Sequence, residues 1–125
     1  MKKFVIYINL AFVLFLSSEK AFGQYQGPGV SGTLTTVKEV KKHAAPLDRS
    51  DALVRVEGFI IRQINQDTFE FKDSTGTVKV EIDRDKLPEK PFDENTLLIL
   101  VGEVDYDLLE GTEIEVEQIL FPDQP

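Results

Sequence analysis

The stretch Leu53-Val54-Arg55-Val56-Glu57-Gly58-Phe59-Ile60 decides the fold. Val54, Val56, Gly58 and Ile60 alternate with Arg55, Glu57 and Phe59. A period of two marks a half-buried strand, because successive side chains point to opposite faces. The run predicts a first strand from Leu53 to about Ile64, and Gly58 near its middle suits a bend or bulge. Phe59 and Ile61 fall on the face opposite the core set. They are expected to pack beneath an N-terminal helix, with a docking surface for a protein partner as the alternative.

Towards the C-terminus the same period recurs. Asn65-Gln66-Asp67 reads as a hairpin loop, and Thr68 to Asp73 as a second strand with Phe69 and Phe71 inward. Ser74-Thr75-Gly76 turns the chain into a third strand with Val78, Val80 and Ile82 inward. Between Arg84 and Asn95, Pro88 and Pro91 leave room for one helical turn at most, since an interior proline loses a donor and clashes with the preceding turn. Leu97-Leu98-Ile99-Leu100-Val101 is apolar on both faces, as in a strand buried on both sides. The fourth strand is predicted over Thr96 to Asp105, followed by a polar loop from Asp105 to Gly111. The fifth runs from Thr112 to Phe121, with Ile114 and Val116 inward against Glu113, Glu115 and Glu117.

Towards the N-terminus, Thr36-Val37-Lys38-Glu39 fits a capping box and starts a short helix with Val37 and Val40 on one face. Lys41, Lys42 and His43 near its end complement the helix dipole, and Pro46 is expected to stop it. Asp48-Arg49-Ser50-Asp51 reads as a polar turn. Gln24 to Thr35 is a flexible glycine-rich arm by composition. Residues 1–23 combine Lys2 and Lys3, an apolar run from Phe4 to Leu16 and the small residues Ala21 and Gly23, the parts of a secretory signal peptide. Thirteen helical residues rise about 20 Å, short of a hydrocarbon core of about 30 Å. Cleavage is expected after Gly23, with export to the periplasm and no membrane span in the mature chain. The predicted organisation is thus a leader (1–23), an arm (24–35), one domain (36–121) and a tail (122–125).

Five strands with a long, bent first member and a longer connection between the third and fourth predict an all-β fold: a five-stranded OB-fold Greek-key barrel with a short N-terminal helix. Another small barrel or sandwich is the alternative left by strand order.

Composition excludes several functions. The 125 residues carry 14 Lys plus Arg, 22 Asp plus Glu, one His and no Cys, a formal charge of −8. Loss of the leader, with Lys2, Lys3, Lys20 and Glu19, leaves 102 residues, 11 basic and 21 acidic, and a charge of −10. Disulfides, thiolate nucleophiles and cysteine–zinc clusters are impossible. His43 is far in sequence from any nucleophile, and Asp83-x-Asp85 gives no sign of the cleft that paired-carboxylate glycosidases need. A non-enzyme without a cofactor is expected. Nucleic acid is also disfavoured: an acidic chain repels phosphates, and the outward residues of strands two and three (Thr68, Glu70, Lys72, Thr77, Lys79, Glu81, Asp83) include no aromatic for stacking. Lys72 and Lys79 are expected to pair across strands with Glu70 and Glu81.

What remains is attraction of cations. Asp105-Tyr106-Asp107-Leu108-Leu109-Glu110 clusters carboxylates, though its spacing does not match an EF-hand loop. A diffuse negative field reaching metal ions, polyamines or cationic peptides is the simpler expectation, with Tyr106 adding a cation–π contact. The candidate ligand-binding residues are therefore Glu70, Lys72, Lys79, Glu81, Asp83, Asp105, Tyr106, Asp107 and Glu110, and no dedicated metal site is assigned.

An ordered set of short motifs adds a resemblance. Gly27-Pro28-Gly29, Thr36-Val37, Asp48 with Asp51, Val54-x-Val56-x-Gly58-x-Ile60 and Phe69-x-Phe71-x-Asp73 come first. Gly76, Val80-x-Ile82-Asp83, Gly102-Glu103-Val104-Asp105 and Ile114-x-Val116 follow. Over nearly the whole mature chain this resembles the bacterial OB-fold (BOF) family of YgiW/YdeI-type periplasmic stress-tolerance proteins. The resemblance implies a secreted barrel without known enzymatic activity that binds a small or cationic ligand, or an envelope component such as peptidoglycan. Leu87 stands where many members carry Trp, and Pro88 and Pro91 alter the loop that follows.

Overall fold

The structure, a computed structural model, describes residues 33–122. The leader, the arm up to residue 32 and residues 123–125 lie outside the described residues. Two short helices, α1 (Val37–Lys42) and α2 (Ala44–Ser50), precede β1 (Leu53–Gln63), β2 (Thr68–Asp73), β3 (Gly76–Glu81), β4 (Leu98–Asp107) and β5 (Gly111–Leu120). The strands close a barrel in the order β1-β2-β3-β5-β4. All neighbours are antiparallel except β3 and β5, whose parallel ladder joins Lys79–Glu81 to Glu113–Glu115.

The alternation in β1 fills the interior as the sequence predicts: Val54 and Val56 are fully buried, and Ile60 nearly so. Phe71, Val80, Ile82, Leu98, Leu100 and Ile114 complete the centre of the core. β4 is buried on both faces between β1 and β5, which accounts for its unbroken apolar run. The connection from β3 to β4 holds only the 3₁₀ turn Arg84–Lys86, in keeping with the proline limit.

Gly58 marks the point where β1 changes partner, from β4 over Leu53–Gly58 to β2 over Phe59–Gln63. The bulge itself falls later, between Ile60 and Arg62. What Gly58 provides is close approach: a Cβ there would lie 2.3 Å from the Lys72 carbonyl oxygen. Gly102 does the same on β4, where a Cβ would meet the Glu115 carbonyl oxygen at 2.2 Å. A second bulge follows Val101.

The N-terminal helix is longer and more broken than expected. Pro46 does not end it, because a new helix starts at Ala44 and places Pro46 in its first turn, where backbone N–H groups have no helical acceptor. The predicted turn at Asp48–Asp51 is accordingly helical to Ser50, and Asp51 closes it in the left-handed region at φ 56°. Of the expected capping box, the Thr36 hydroxyl accepts from the Glu39 N–H at 3.2 Å, but the Glu39 carboxylate faces His43 at 3.3 Å.

Val37, Val40 and Ala44 form one stripe and enter the barrel core. They therefore do not cover Phe59 and Ile61. The Val37 N–H donates to Asp73 Oδ2 at 2.8 Å, the Lys38 N–H to Thr75 Oγ1 at 3.0 Å, and the Tyr106 N–H to Asp48 Oδ2 at 2.7 Å. Upstream of α1, Thr35 makes an isolated parallel bridge to Val56, its N–H donating to the Arg55 carbonyl at 2.8 Å.

Candidate functional site

Barrel closure decides which polar side chains become neighbours. The registers align Glu70, Lys79, Glu113 and Asp105 in one row across β2, β3, β5 and β4. The next row is Thr68, Glu81, Glu115 and Glu103. Because Val80, Ile114 and Val104 form the inward row between them, both polar rows face outward. The result is an acidic face centred on Glu81, Glu113, Glu115, Glu103 and Asp105, with Lys79 the cation within it.

These carboxylates repel one another. Partial burial, then Asp67, Asp83 and Asp105, push the Glu81 carboxyl above its ordinary value. Glu113 is raised first by burial and then by Glu81, Asp105 and Glu115, with Lys79 opposing. Glu115 is raised by burial and by Glu81, Asp105, Glu103 and Glu117. A face that holds its protons more tightly than free carboxylates would also gain by binding another cation.

At one edge of this face, carboxylate oxygens of Asp67, Glu81 and Asp83 lie within 4.8 Å of one another. Asp67 arrives from the β1–β2 loop, Glu81 ends β3 and Asp83 follows it; the Ile82 N–H donates to the Asp67 carbonyl at 2.8 Å and ties the two segments together. A hard cation such as calcium takes about six to eight oxygens, of which three carboxylates could provide several and water the rest.

The sequence-predicted residues divide accordingly. Glu81, Asp83, Lys79 and Asp105 belong to the acidic face. Glu70 lies beside it, opposite Lys79 in the register as expected, while its carboxylate accepts from Arg62 Nε at 2.7 Å. Lys72 stands opposite Thr77, and Glu81 opposite Thr68, which corrects the other expected pair.

The predicted polar loop is mostly strand: β4 continues through Asp105 and Tyr106 to Asp107, paired residue by residue with β5. Alternation then separates Tyr106 from its flanking acids, and its side chain packs against the core. The expected cation–π contact beside Asp105 and Asp107 therefore has no place in this geometry. Asp107 Oδ1 accepts from the N–H groups of Leu109 and Glu110 at 2.7 and 3.0 Å, so it holds the turn. Asp105, Asp107, Glu110, Glu113 and Lys79 line a shallow concavity of about 70 Å³.

Sequence reasoning left Glu103, Glu113 and Glu115 out of the site. The signal was present in the alternation Glu113-x-Glu115-x-Glu117, but only the parallel pairing of β3 with β5 sets those acids beside Glu81. His43 stands on the helical surface in contact with Glu39 at 3.3 Å. A separate groove of about 760 Å³ runs beside β1, with Phe59, Ile61, Leu34 and Leu97 as its apolar wall and Glu57, Lys72 and Glu94 at its margin.

Comparison with known proteins agrees with this architecture. The chain is 43% identical over 93 residues to the calcium-regulated OB-fold protein CarO of Pseudomonas aeruginosa, covering 74% of this chain and 75% of that protein. It is 34% identical over 89 residues to protein YgiW of Escherichia coli, covering 71% of this chain and 64% of the relative. Neither name describes an enzyme. The solved structure of Escherichia coli YgiW superposes with a TM-score of 0.62 at 35% identity, over 76% of this chain and 96% of that one. A chain of the Stn1–Ten1 complex of S. pombe shares the fold alone, with a TM-score of 0.55 at 14% identity over 80% of this chain and 81% of that one. A family profile described as "Bacterial OB fold (BOF) protein" matches residues 16–120. With the closed five-stranded barrel, these similarities establish that the chain belongs to the bacterial OB-fold family.

Proposed function

We propose that this protein is a non-catalytic binding domain of the bacterial cell envelope whose acidic barrel face takes cations during stress. One observation carries the reading: Glu81, Glu113, Glu115, Glu103 and Asp105 converge on neighbouring strands, with Lys79 among them. A net charge of −10 on the exported chain adds a long-range field that draws cations towards the barrel. The calcium regulation in CarO's name supports choosing a divalent ion as the first ligand to try. Export rests on the leader-like residues 1–23, which lie outside the described residues. No described helix is long and apolar enough to cross a membrane.

Amide-resolved NMR titration with calcium, magnesium and a polyamine tests this. Saturable shifts centred on Asp67, Glu81, Asp83, Glu113 and Glu115, abolished by the Glu81→Gln, Glu115→Gln double variant, are expected. Absence of saturable shifts at millimolar concentrations of all three would refute the cation reading.

A second reading, docking of a protein partner, is favoured by the apolar groove at Phe59 and Ile61, which the helices leave open. The variant Ile61→Ser should keep the fold, because Ile61 is 36% exposed, and should weaken any such docking. Docking unaffected by this change would place the partner elsewhere.

A further inference from the structure

The connection from β3 to β4 builds a groove of opposite electrostatic character. It holds about 570 Å³, within the range of small-molecule sites, and shares no residue with the acidic rows or the Phe59 groove. Its walls are apolar: Phe69 from β2, then Leu87, Pro88, Pro91 and Phe92 from the connection. Its charged lining residues are Arg84 and Lys90, and no carboxylate among the described residues lines it. In a chain with 22 acidic and 14 basic residues, a lining of two cations and no acid runs against the prevailing charge.

The local structure holds these groups in place. Lys86, between the two cations in sequence, turns to Glu117 at 3.5 Å, whereas Arg84 and Lys90 make no ion pair among the described residues. The Lys90 ammonium sits 4.6 Å from the centroid of the Phe121 ring, a cation–π contact that positions the side chain without neutralising it. Pro88 and Pro91 each fix a backbone φ, so the wall is preorganised rather than assembled by the ligand. Phe92 is anchored on the core, and Leu87 stays 36% exposed, a large apolar side chain facing an open groove. At the other side the Gln63 amide N–H donates to the carbonyls of Asn65 and Gln66, which leaves its oxygen free to accept.

We propose that this groove is a second binding site, for a small amphipathic anion: a carboxylate or phosphate held between Arg84 and Lys90, with an apolar body against Leu87, Pro88, Pro91 and Phe92. The guanidinium offers a planar fork of donors to such a head group, and the lysine a point charge. The site is independent of the cation reading, because its ligand has the opposite charge and its residues are different.

Three probes of matched length separate the terms: hexanoate, hexyl phosphate and hexylammonium, titrated into isotope-labelled protein and followed by amide shifts. Saturable shifts confined to Gln63–Phe69 and Arg84–Phe92 are expected for at least one of the two anions, and the stronger anion identifies the head group. Arg84→Gln with Lys90→Gln should weaken that binding by about tenfold or more, the loss of charge-assisted hydrogen bonds, with the thermal midpoint unchanged because both side chains are exposed. Leu87→Ser should weaken hexanoate and hexyl phosphate while leaving inorganic phosphate unaffected. The proposal is overturned if hexylammonium shifts the same groove amides as strongly as the anions, if neither anion gives saturable shifts there at millimolar concentration, or if the double glutamine variant binds like the parent.

Discussion

Two aspartates fasten the helices to the barrel through single carboxylates. Asp48 reaches the Tyr106 N–H from α2, and Asp73 accepts from the N–H groups of Val37, Thr75 and Gly76 and from the Thr75 hydroxyl. Partial burial pushes the Asp73 carboxyl up, but these hydrogen bonds, led by the Thr75 hydroxyl, prevail and hold it below the ordinary range. Asp73→Ala should cost about 1–2 kcal/mol, in the range of a lost helix cap, read as a lower denaturant midpoint. Its contribution is present above the unfolded aspartate value and is lost as pH falls through the depressed folded value, so Asp73→Asn should flatten the acid limb of the stability curve. The glycines set a different constraint. A methyl group on Gly58 or Gly102 would stand 2.3 or 2.2 Å from a carbonyl oxygen. Gly58→Ala and Gly102→Ala should therefore each cost about 1–3 kcal/mol, the penalty of overpacking, and chemical denaturation measures it.

At the scale of elements, β3, β5 and β4 stand side by side as a surface of like charge. Glu81 lies next to Glu115 in register, and Glu103 and Asp105 face Glu115 and Glu113. Such pairs oppose folding by a few tenths of a kcal/mol each, so Glu115→Gln should stabilise by about 0.5 kcal/mol in dilute buffer and less in high salt. The sign for pH is opposite to that of Asp73. Glu81, Glu113 and Glu115 bind protons more tightly folded than unfolded, and their contribution therefore rises as pH falls through the raised folded values. The thermal midpoint should increase on mild acidification from neutrality and fall again in stronger acid once Asp73 is protonated. Scanning calorimetry across this pH series checks both limbs. In contrast, the β4–β5 turn carries Leu108 and Leu109 almost fully exposed, and Leu108→Ser with Leu109→Ser should leave stability within about 0.5 kcal/mol.

Across the whole molecule, what could be read from the sequence was whatever depends on local period. The strands β1, β2 and β3, the doubly buried β4 and the confinement of helix before Pro88 all follow from alternation and proline chemistry. Boundaries set by long-range contacts were less legible. Pro46 looked like a stop because its tolerance in a first turn depends on a second helix beginning at Ala44, which packing against the barrel stabilises. Tyr106 looked like a loop residue because nothing local shows that β4 and β5 pair as far as Asp107 and Gly111. The acidic face was half visible: Glu81 and Asp105 stood out singly, while their union with Glu113 and Glu115 depends on which strands meet when the barrel closes.

That closure has a kinetic consequence. The hairpins of β1–β2, β2–β3 and β4–β5 join near neighbours in the chain, whereas β1 meets β4 across 40 to 50 residues and β3 meets β5 through three paired positions, 34 residues apart. Contacts so distant are made late, after the loop entropy has been met. Here the late step also presses Glu81 against Glu115, so the rate-limiting barrier adds a charge penalty to the one the β4–β5 hairpin already carries from Glu103 and Asp105. Refolding in stopped-flow experiments should quicken with added salt, and Glu115→Gln should speed folding more than it slows unfolding. The same acids that draw cations to the finished barrel thus act as a brake on its assembly, and a cation present during folding would release it.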